Sequence, residues 1–186
     1  MKKGLLFGLA LLFLSSVAFA QLPPVGYIGL YVDGEHSSSC AMGVGFYPVE
    51  LWIWHLPSDL GMICSEFMIV YPLNVIQSTV TTNPLVSVTL GTLDAGMSVC
   101  LVNCAWDWTW SFHQALWVTN PEPTEITVAK HPDEMIQCIQ NANCEPGYPT
   151  ECIVVLTKVL LNTECPPENP VGTEEASWGA IKDQLK

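Results

Sequence analysis

The four histidines are the first residues in this sequence that could do acid–base chemistry: His36, His55, His113 and His131. A Ser-His-Asp hydrolase usually presents its serine in a Gly-x-Ser-x-Gly turn, and the sequence has no such motif. Glycoside hydrolysis needs two carboxylates about 5–9.5 Å apart, and the 18 Asp and Glu leave that reaction open. We therefore predict that the protein is not an enzyme and has no catalytic residue. A hydrolase is kept as a third hypothesis, after the two binding functions described below.

The tryptophans are the stronger candidates for a binding function. Trp52 and Trp54 alternate along one side of a predicted strand, and Trp106 and Trp108 flank Asp107 near a predicted loop tip. Exposed aromatic rings beside a carboxylate can stack on sugars or anchor a protein partner. We therefore predict these five residues as ligand-binding. The other interpretation, that the rings fill the core or cover the sheet, stays open.

All 8 cysteines follow residue 20, and an even number in an exported chain is typical of disulfides. Cys100 and Cys104 would lie about 13 Å apart in one extended strand. A disulfide spans less than about 7 Å, so each needs another partner. We expect Cys40–Cys104 and Cys144–Cys152 bridges. The full set predicted to form disulfides is Cys40, Cys64, Cys100, Cys104, Cys138, Cys144, Cys152 and Cys165.

Two groups of residues raise the question of a metal. The pair Cys100-x3-Cys104 lacks the matching second pair that a zinc site needs. Asp33, Glu35 and His36 carry ligating groups in a polar loop, but no second set of ligands lies nearby in the sequence. We interpret that loop as a solvated turn, and we predict neither a metal nor another cofactor.

The first 20 residues have the composition of a secretory signal peptide. Met1-Lys2-Lys3 is positive, residues 4–13 are apolar, and Ala18-Phe19-Ala20 is a small-x-small cleavage site. Its removal leaves 4 Lys and no Arg against 18 Asp and Glu, a formal charge of −14 (4 − 18). Such a surface repels nucleic acid and anionic lipid. We expect a secreted protein, extracellular or periplasmic, without a nucleic-acid partner and without membrane insertion after signal removal.

The candidate residues are positioned by residues 47–76, which we predict to form two β-strands joined by a turn at Pro57-Ser58-Asp59 and Gly61. Both strands alternate between two faces, as a half-buried strand does. We predict that they form a hairpin whose odd-numbered face packs inward beneath a second sheet. The odd-numbered residues are Val49, Leu51 and Ile53, followed by Ser65, Phe67, Ile69 and Tyr71.

Further short strands separated by turns predict an all-β fold, an antiparallel β-sandwich. We expect them at 27–32, 75–82, 85–90, 97–102, 113–119, 125–129 and 152–161. In an extended run, Trp106, Trp108, Trp110 and Phe112 would share one side.

Helix-like spacing appears over 133–143 and again in the tail, so a short C-terminal helix is expected. The predicted organisation is a signal peptide at 1–20, a β-sandwich domain at 21–165 with a cysteine-rich C-terminal part, a linker at 166–177 and a tail at 178–186.

From Val49 to about residue 131 the order of elements resembles a cohesin-type, immunoglobulin-like domain. The similarity lies in the strand with Val49, Leu51 and Ile53, the Pro-Ser-Asp turn, and the segment EFMIVYPLNVI. That segment resembles the cohesin pattern of an apolar strand ending in Tyr-x-x-x-Val, filled here by Tyr71 and Val75. The resemblance implies a binding fold rather than a catalyst. The cysteine-rich segment 138–165 has no counterpart in cohesins. The resemblance does not imply that the partner is a dockerin.

The sequence supports two classes of function. The first is a secreted, non-enzymatic binding or structural module of a bacterial envelope or extracellular matrix, with a protein partner. The alternative is a carbohydrate-binding module that holds an extracellular glycan on Trp106 and Trp108, together with Trp52 or Trp54.

Overall fold

The computed structural model describes residues 23–43 and 48–165, and the regular elements in these two ranges are all strands. The predicted signal peptide, linker and tail therefore lie outside the described residues. The strands are β1 (Tyr27–Tyr31), β2 (Cys40–Ala41), β3 (Val49–Leu56), β4 (Met62–Val70), β5 (Val75–Thr82), β6 (Val86–Thr92), β7 (Gly96–Ala105), β8 (Thr109–Val118), β9 (Thr124–Ala129), β10 (Gln140–Ala142), β11 (Thr150–Cys152), β12 (Val154–Thr157) and β13 (Val159–Leu161).

The strands form two sheets, as expected for a sandwich. Sheet A has five strands in the order β12-β1-β3-β8-β5. Sheet B has eight strands: one path runs β11-β10-β4-β9-β13-β2, and β7 joins β4 to β6. Most neighbours are antiparallel, but β1 with β12 and β13 with β2 are parallel pairs. The prediction of an antiparallel sandwich is thus confirmed in its architecture and modified at these two pairs.

The predicted hairpin is wrong, because its two strands belong to different sheets. β3 pairs with β1 and β8 in sheet A. β4 pairs with β7, β9 and β10 in sheet B. Alternation identifies the buried face of each strand, but it is the same for a paired hairpin and for strands that face each other across a core. The connection at residues 57–61 therefore carries the chain from one layer to the other.

The inward face was predicted correctly. Leu51 and Ile53 of β3, and Phe67 and Ile69 of β4, are all buried in one apolar core. Phe112 of β8 lies in the same core. Full burial of an aliphatic or aromatic side chain contributes about 1.5–3 kcal/mol, so these facing rows supply much of the attraction between the sheets.

The cysteine-rich C-terminal part differs most from the prediction. Residues 133–136 form a turn in which the Met135 amide donates to the Asp133 carboxylate at 2.9 Å, and the expected helix is not there. The chain then enters β10, which pairs with β4. The expected strand at 152–161 is divided, because β12 joins sheet A and β13 joins sheet B. Pairing with two different sheets overrides the local preferences of these short segments.

All eight cysteines form disulfides within the described residues. The two expected pairings are wrong, because Cys40 bonds Cys165 and Cys104 bonds Cys144. The expectation that Cys100 and Cys104 have different partners is confirmed, since Cys100 bonds Cys64 directly across β7 and β4. Sequence spacing does not contain the sheet order, which decides which cysteines meet. The fourth bridge joins Cys138 and Cys152.

The four bridges should contribute unequally to stability. Cys40–Cys165 closes 125 residues, whereas Cys138–Cys152 closes 14. In the chain-entropy model each bridge contributes about 3–5 kcal/mol, and the longer loop contributes more. We expect replacement of Cys40 and Cys165 by Ala to lower the free energy of unfolding in urea more than replacement of Cys138 and Cys152. Equal losses, or the reverse order, would contradict that model for this fold.

His55 is a fully buried titratable group at the inner side of β3. Its Nε2 lies 2.9 Å from the Ser111 hydroxyl, and its ring is 5.6 Å from Phe67 of the opposite sheet. Nδ1 has no hydrogen-bond partner in the part of the chain that is described. Burial lowers the pKa of His55 to about 3, so the imidazole is neutral in the folded protein at ordinary pH.

This burial predicts a stability that decreases in mild acid. An unfolded histidine titrates near 6.5, so between pH 6.5 and 3 the unfolded chain binds a proton that the folded chain excludes. We expect the free energy of unfolding to fall by up to about 1.4 kcal/mol per pH unit below 6.5 through this group. Urea titrations from pH 7 to 4 should give a shallower slope for His55→Gln. The matched control is His131→Gln, in a loop, and equal slopes for wild type and His55→Gln would refute the assignment.

Candidate binding surface

The outward side of sheet A carries five of the 7 tryptophans, and we call it the tryptophan face. Its position follows from alternation, because the odd-numbered residues of β3 fill the core and the even-numbered ones point outward. The neighbouring strand β8 adds its own outward rings beside them. The five residues are Trp52 and Trp54 from β3, Trp108 immediately before β8, and Trp110 and Trp117 on β8.

One half of the tryptophan face is centred on Trp52. Its ring meets Trp110 edge to face, with centroids 5.2 Å apart, and stacks on the His113 imidazole at 4.1 Å. His113 Nε2 donates a hydrogen bond to the Glu50 carboxylate, which leaves that imidazole fixed against the indole. Gly34 lies against the same indole, since a Cβ there would approach it to 3.2 Å. Trp52 is thus enclosed on several sides by the protein itself.

The other half is centred on Trp108. The His36 imidazole stacks on this indole with centroids 4.5 Å apart and lies 4.7 Å from Trp54. The Tyr31 ring meets Trp108 edge to face at 6.3 Å. Trp54 Nε1 and His36 Nδ1 are buried without a hydrogen-bond partner among the described residues. Ring packing, rather than hydrogen bonding, therefore holds this half together.

The loop of residues 33–39 brings His36 onto the face. The Asp33 carboxylate accepts hydrogen bonds from the backbone amides of Glu35, Ser37 and Ser38 at 2.7–3.0 Å. Burial acts to raise the pKa of Asp33, but the hydrogen bonds from Ser37, Ser38 and Glu35 outweigh it and lower the pKa below its usual value. An ionised Asp33 thus organises the loop, in which His36 adopts a left-handed φ of 47°.

The same geometry bears on the metal question. The carboxylate of Asp33 accepts hydrogen bonds from the loop's own N–H groups, and the ring of His36 is stacked on Trp108. Within 23–43 and 48–165, no group of three or more His, Cys, Asp and Glu is placed to hold a metal ion. In those same residues no helix is long and apolar enough to cross a membrane.

Trp106 does not join the tryptophan face. It follows β7 of sheet B, and its ring packs on Gly61, where a Cβ would come within 3.1 Å. Cys144, bonded to Cys104, lies at the same place. The chain crosses from sheet B to sheet A between Trp106 and Trp108, and the two indoles have different neighbours: Trp106 packs on Gly61, whereas Trp108 packs on His36. Trp106 is nonetheless 52% exposed.

Of the five residues predicted to bind a ligand, the structure brings together Trp52, Trp54 and Trp108. Asp107 is exposed at the rim, where its carboxylate accepts a hydrogen bond from the Trp108 amide at 2.7 Å. Trp106 lies apart.

The extended run that was expected to align four aromatic residues is interrupted. The register shifts where Ile53 and Trp54 of β3 meet Phe112 and Trp110 of β8. Because of this irregularity, Trp110 remains outward, while Phe112 turns into the core. Trp110, Trp117, His36 and His113 were not predicted as site residues. The alternation of β8 around buried Leu116 and Val118 could have identified Trp117.

The exposure of these rings argues against both extreme interpretations. Trp52, Trp54, Trp108 and Trp110 are half-buried, and Trp117 is 40% exposed. A core role would bury them, while a flat platform for sugar rings would leave indole faces free. Here imidazoles cover one face of Trp52 and one of Trp108. The surface is therefore an interlocked aromatic layer that presents ring edges beside carboxylates.

Comparison with solved structures identifies the fold. The cohesin of a type I cohesin–dockerin complex from Clostridium thermocellum has a TM-score of 0.51 at 7% identity, over 76% of this chain and 96% of that one. The seventh ScaB type I cohesin from Pseudobacteroides cellulosolvens has a TM-score of 0.51 at 8% sequence identity, and the match covers 78% of this chain and 97% of that one. A cohesin module from a Clostridium perfringens family 33 glycoside hydrolase has a TM-score of 0.52 at 14% sequence identity, and the match covers 76% of this chain and 99% of that one.

No protein-family model and no curated protein matches the chain in sequence. At these identities the structural similarity shows the fold alone. The chain is a cohesin-like β-sandwich, fastened by four disulfides.

The packing of His36 on Trp108 can be tested through its titration. Burial lowers the pKa of His36, although the nearby carboxylates of Asp33 and Asp107 act in the opposite direction. Trp108→Ala would expose the imidazole to water, so its pKa should rise toward the usual value. An NMR pH titration measures this directly, with Trp117→Ala as the matched control on the same face. An unchanged titration of His36 in Trp108→Ala would contradict the stacked arrangement.

Proposed function

We propose that this chain is a secreted, non-enzymatic module that binds a protein partner through the tryptophan face, as part of a bacterial envelope or extracellular matrix. One observation carries the proposal: five tryptophans share one outer sheet surface, and four of them are half-buried and packed in pairs, Trp52 with Trp110 and Trp54 with Trp108. Tryptophan is the residue type most enriched at the energetic centre of protein interfaces. Rings that are already ordered lose little conformational entropy when a partner covers them.

The covered indole faces favour a protein partner over a glycan. Stacking on a sugar needs a free ring face, and the imidazoles of His36 and His113 already occupy one face of Trp108 and one face of Trp52. Ring edges set among carboxylates suit the mixed apolar and polar contacts of a protein interface. Two solved cohesins with similar folds are described in complexes with dockerins, which supports a protein as the class of partner.

The charge of the chain supports a further property of that partner. The formal net charge is −12, and the carboxylates of Glu50 and Asp107 lie on or beside the tryptophan face. A partner with basic residues around an apolar centre would be attracted to this surface, and salt would slow the association. Four disulfides support a location in an oxidising compartment outside the cytoplasm.

The experiment isolates partners from the surface and medium of the producing cells on the immobilised full chain. Each recovered protein is then purified and titrated calorimetrically against wild type and variants. We expect Trp52→Ala to weaken binding by about 30-fold, the loss typical of an interface hot spot at 2 kcal/mol. Trp106→Ala, which removes an exposed indole away from the face, is the matched control.

A glycan array run in parallel separates the alternatives. A partner that binds Trp52→Ala and Trp54→Ala as tightly as wild type would refute the proposed surface. Binding to glycans alone, lost in those variants, would place the chain among carbohydrate-binding modules instead.

A further inference from the structure

The edge strand β6 and its surroundings form an unusual part of this surface. Residues 67–93 contain no Asp, Glu, Lys, Arg or His, although the whole chain has 18 Asp and Glu. This stretch contains the last residues of β4 and the whole of β5 and β6. Both of the latter strands are largely exposed, so the absence of charge is not a consequence of burial. An acidic protein thus has two exposed strands without charge; the next carboxylate along the chain, that of Asp94 in the turn after β6, accepts a hydrogen bond from the Thr92 hydroxyl at 2.7 Å.

These two strands are open sheet edges. Among the described strands, β5 pairs only with β8, and β6 pairs only with β7. β5 closes sheet A and β6 closes sheet B, and only residues 83–85 separate them. The Asn83 side chain donates to the Trp110 carbonyl at 2.7 Å, which fixes this short crossing against β8. The two unpaired edges therefore lie on the same lateral side of the sandwich.

Natural edge strands usually carry lysine, proline or an inward charge that prevents pairing with another chain. β6 has none of these, and past one irregularity between Val86 and Val88 it runs in regular register to Thr92. Val88 and Leu90 are 49% and 66% exposed, on the outward side of sheet B beside Cys100 and Ser98. The strand has free backbone groups and apolar side chains, which are the requirements for adding another strand.

We propose that β6 pairs with β6 of a second copy of this chain, antiparallel about a two-fold axis. Two identical strands can pair in this way because an antiparallel pair has two-fold symmetry. The charge pattern favours a second copy as the occupant: two strongly acidic chains repel each other over most of their surface, and the uncharged strands are where they can meet without facing carboxylates. A basic partner would find no carboxylate in 67–93 to pair with.

The size of the contact sets the expected strength. A strand of seven residues, with Thr89 opposite its own copy and Val88 opposite Leu90 of the second copy, buries less than the roughly 1,200 Å² of a stable interface. The dimer should therefore be weak and concentration-dependent. It should also tighten as salt rises, because salt screens the repulsion between the acidic bodies but leaves the uncharged contact unaffected. A contact made by opposite charges would show the reverse dependence.

Sedimentation equilibrium on the secreted full chain tests the proposal. We expect the average mass to rise from one chain toward two with concentration, and to rise further with salt. Thr89→Lys places a charge on β6 opposite its copy and should weaken association by about tenfold or more. Gln137→Lys makes the same charge change on an exposed loop and should leave association unchanged. Leu90→Lys gives a second test on the outward side if Thr89→Lys fails to fold.

Hydrogen exchange of the peptide 85–93 gives an independent readout, because its amides should be protected at high concentration and exchange faster on dilution. A single-chain mass at all concentrations and salts would overturn the proposal, as would equal weakening by Thr89→Lys and Gln137→Lys. The test is separate from that of the tryptophan face, since Trp52→Ala should leave the dimer intact.

Discussion

The apolar contact between two facing rows of side chains, one from each sheet, is the interaction on which this structure depends. Residues 57–61 make it possible by carrying the chain from β3 in sheet A to β4 in sheet B. The crossing is held by buried Ser58, which donates to the Glu151 carboxylate at 2.6 Å, and by Gly61 with φ of 72°. A side chain at Gly61 would also collide with Trp106. The packing of the core therefore depends on the connection at 57–61, because that connection places β3 and β4 in different sheets.

The tryptophan face is the outer consequence of the same alternation. Once Leu51 and Ile53 fill the core, Trp52 and Trp54 can only point away from it. Large rings on an outer sheet surface would expose much apolar area, and the protein reduces this by packing the imidazoles of His36 and His113 onto them. The result is a packed aromatic layer that is still partly accessible.

The sequence predicted those features that depend on local pattern. Strand positions, the inward residues of β3 and β4, and the outward direction of Trp52 and Trp54 all follow from period-two alternation. The cohesin-like fold was anticipated from the order of elements and is confirmed by the structural neighbours.

The predictions that were wrong concern features that depend on pairing between residues far apart in the chain. The disulfide partners and the separation of β3 from β4 are properties of sheet order, which alternation does not encode. Residues 133–143 have helical spacing, but a disulfide at Cys138 and pairing of β10 with β4 determine their conformation. The loop that places His36 on Trp108 is non-local too, because residues far apart in the chain must meet.

The most direct test of this arrangement is a set of nuclear Overhauser contacts from two adjacent side chains, Trp54 and His55. With β3 between core and surface, the indole of Trp54 should show contacts to His36 and Trp108, while the ring of His55 should show contacts to Phe67. Contacts from Trp54 to Phe67, or from His55 to His36, would mean that β3 presents its faces the other way, and the outward tryptophan face would not exist.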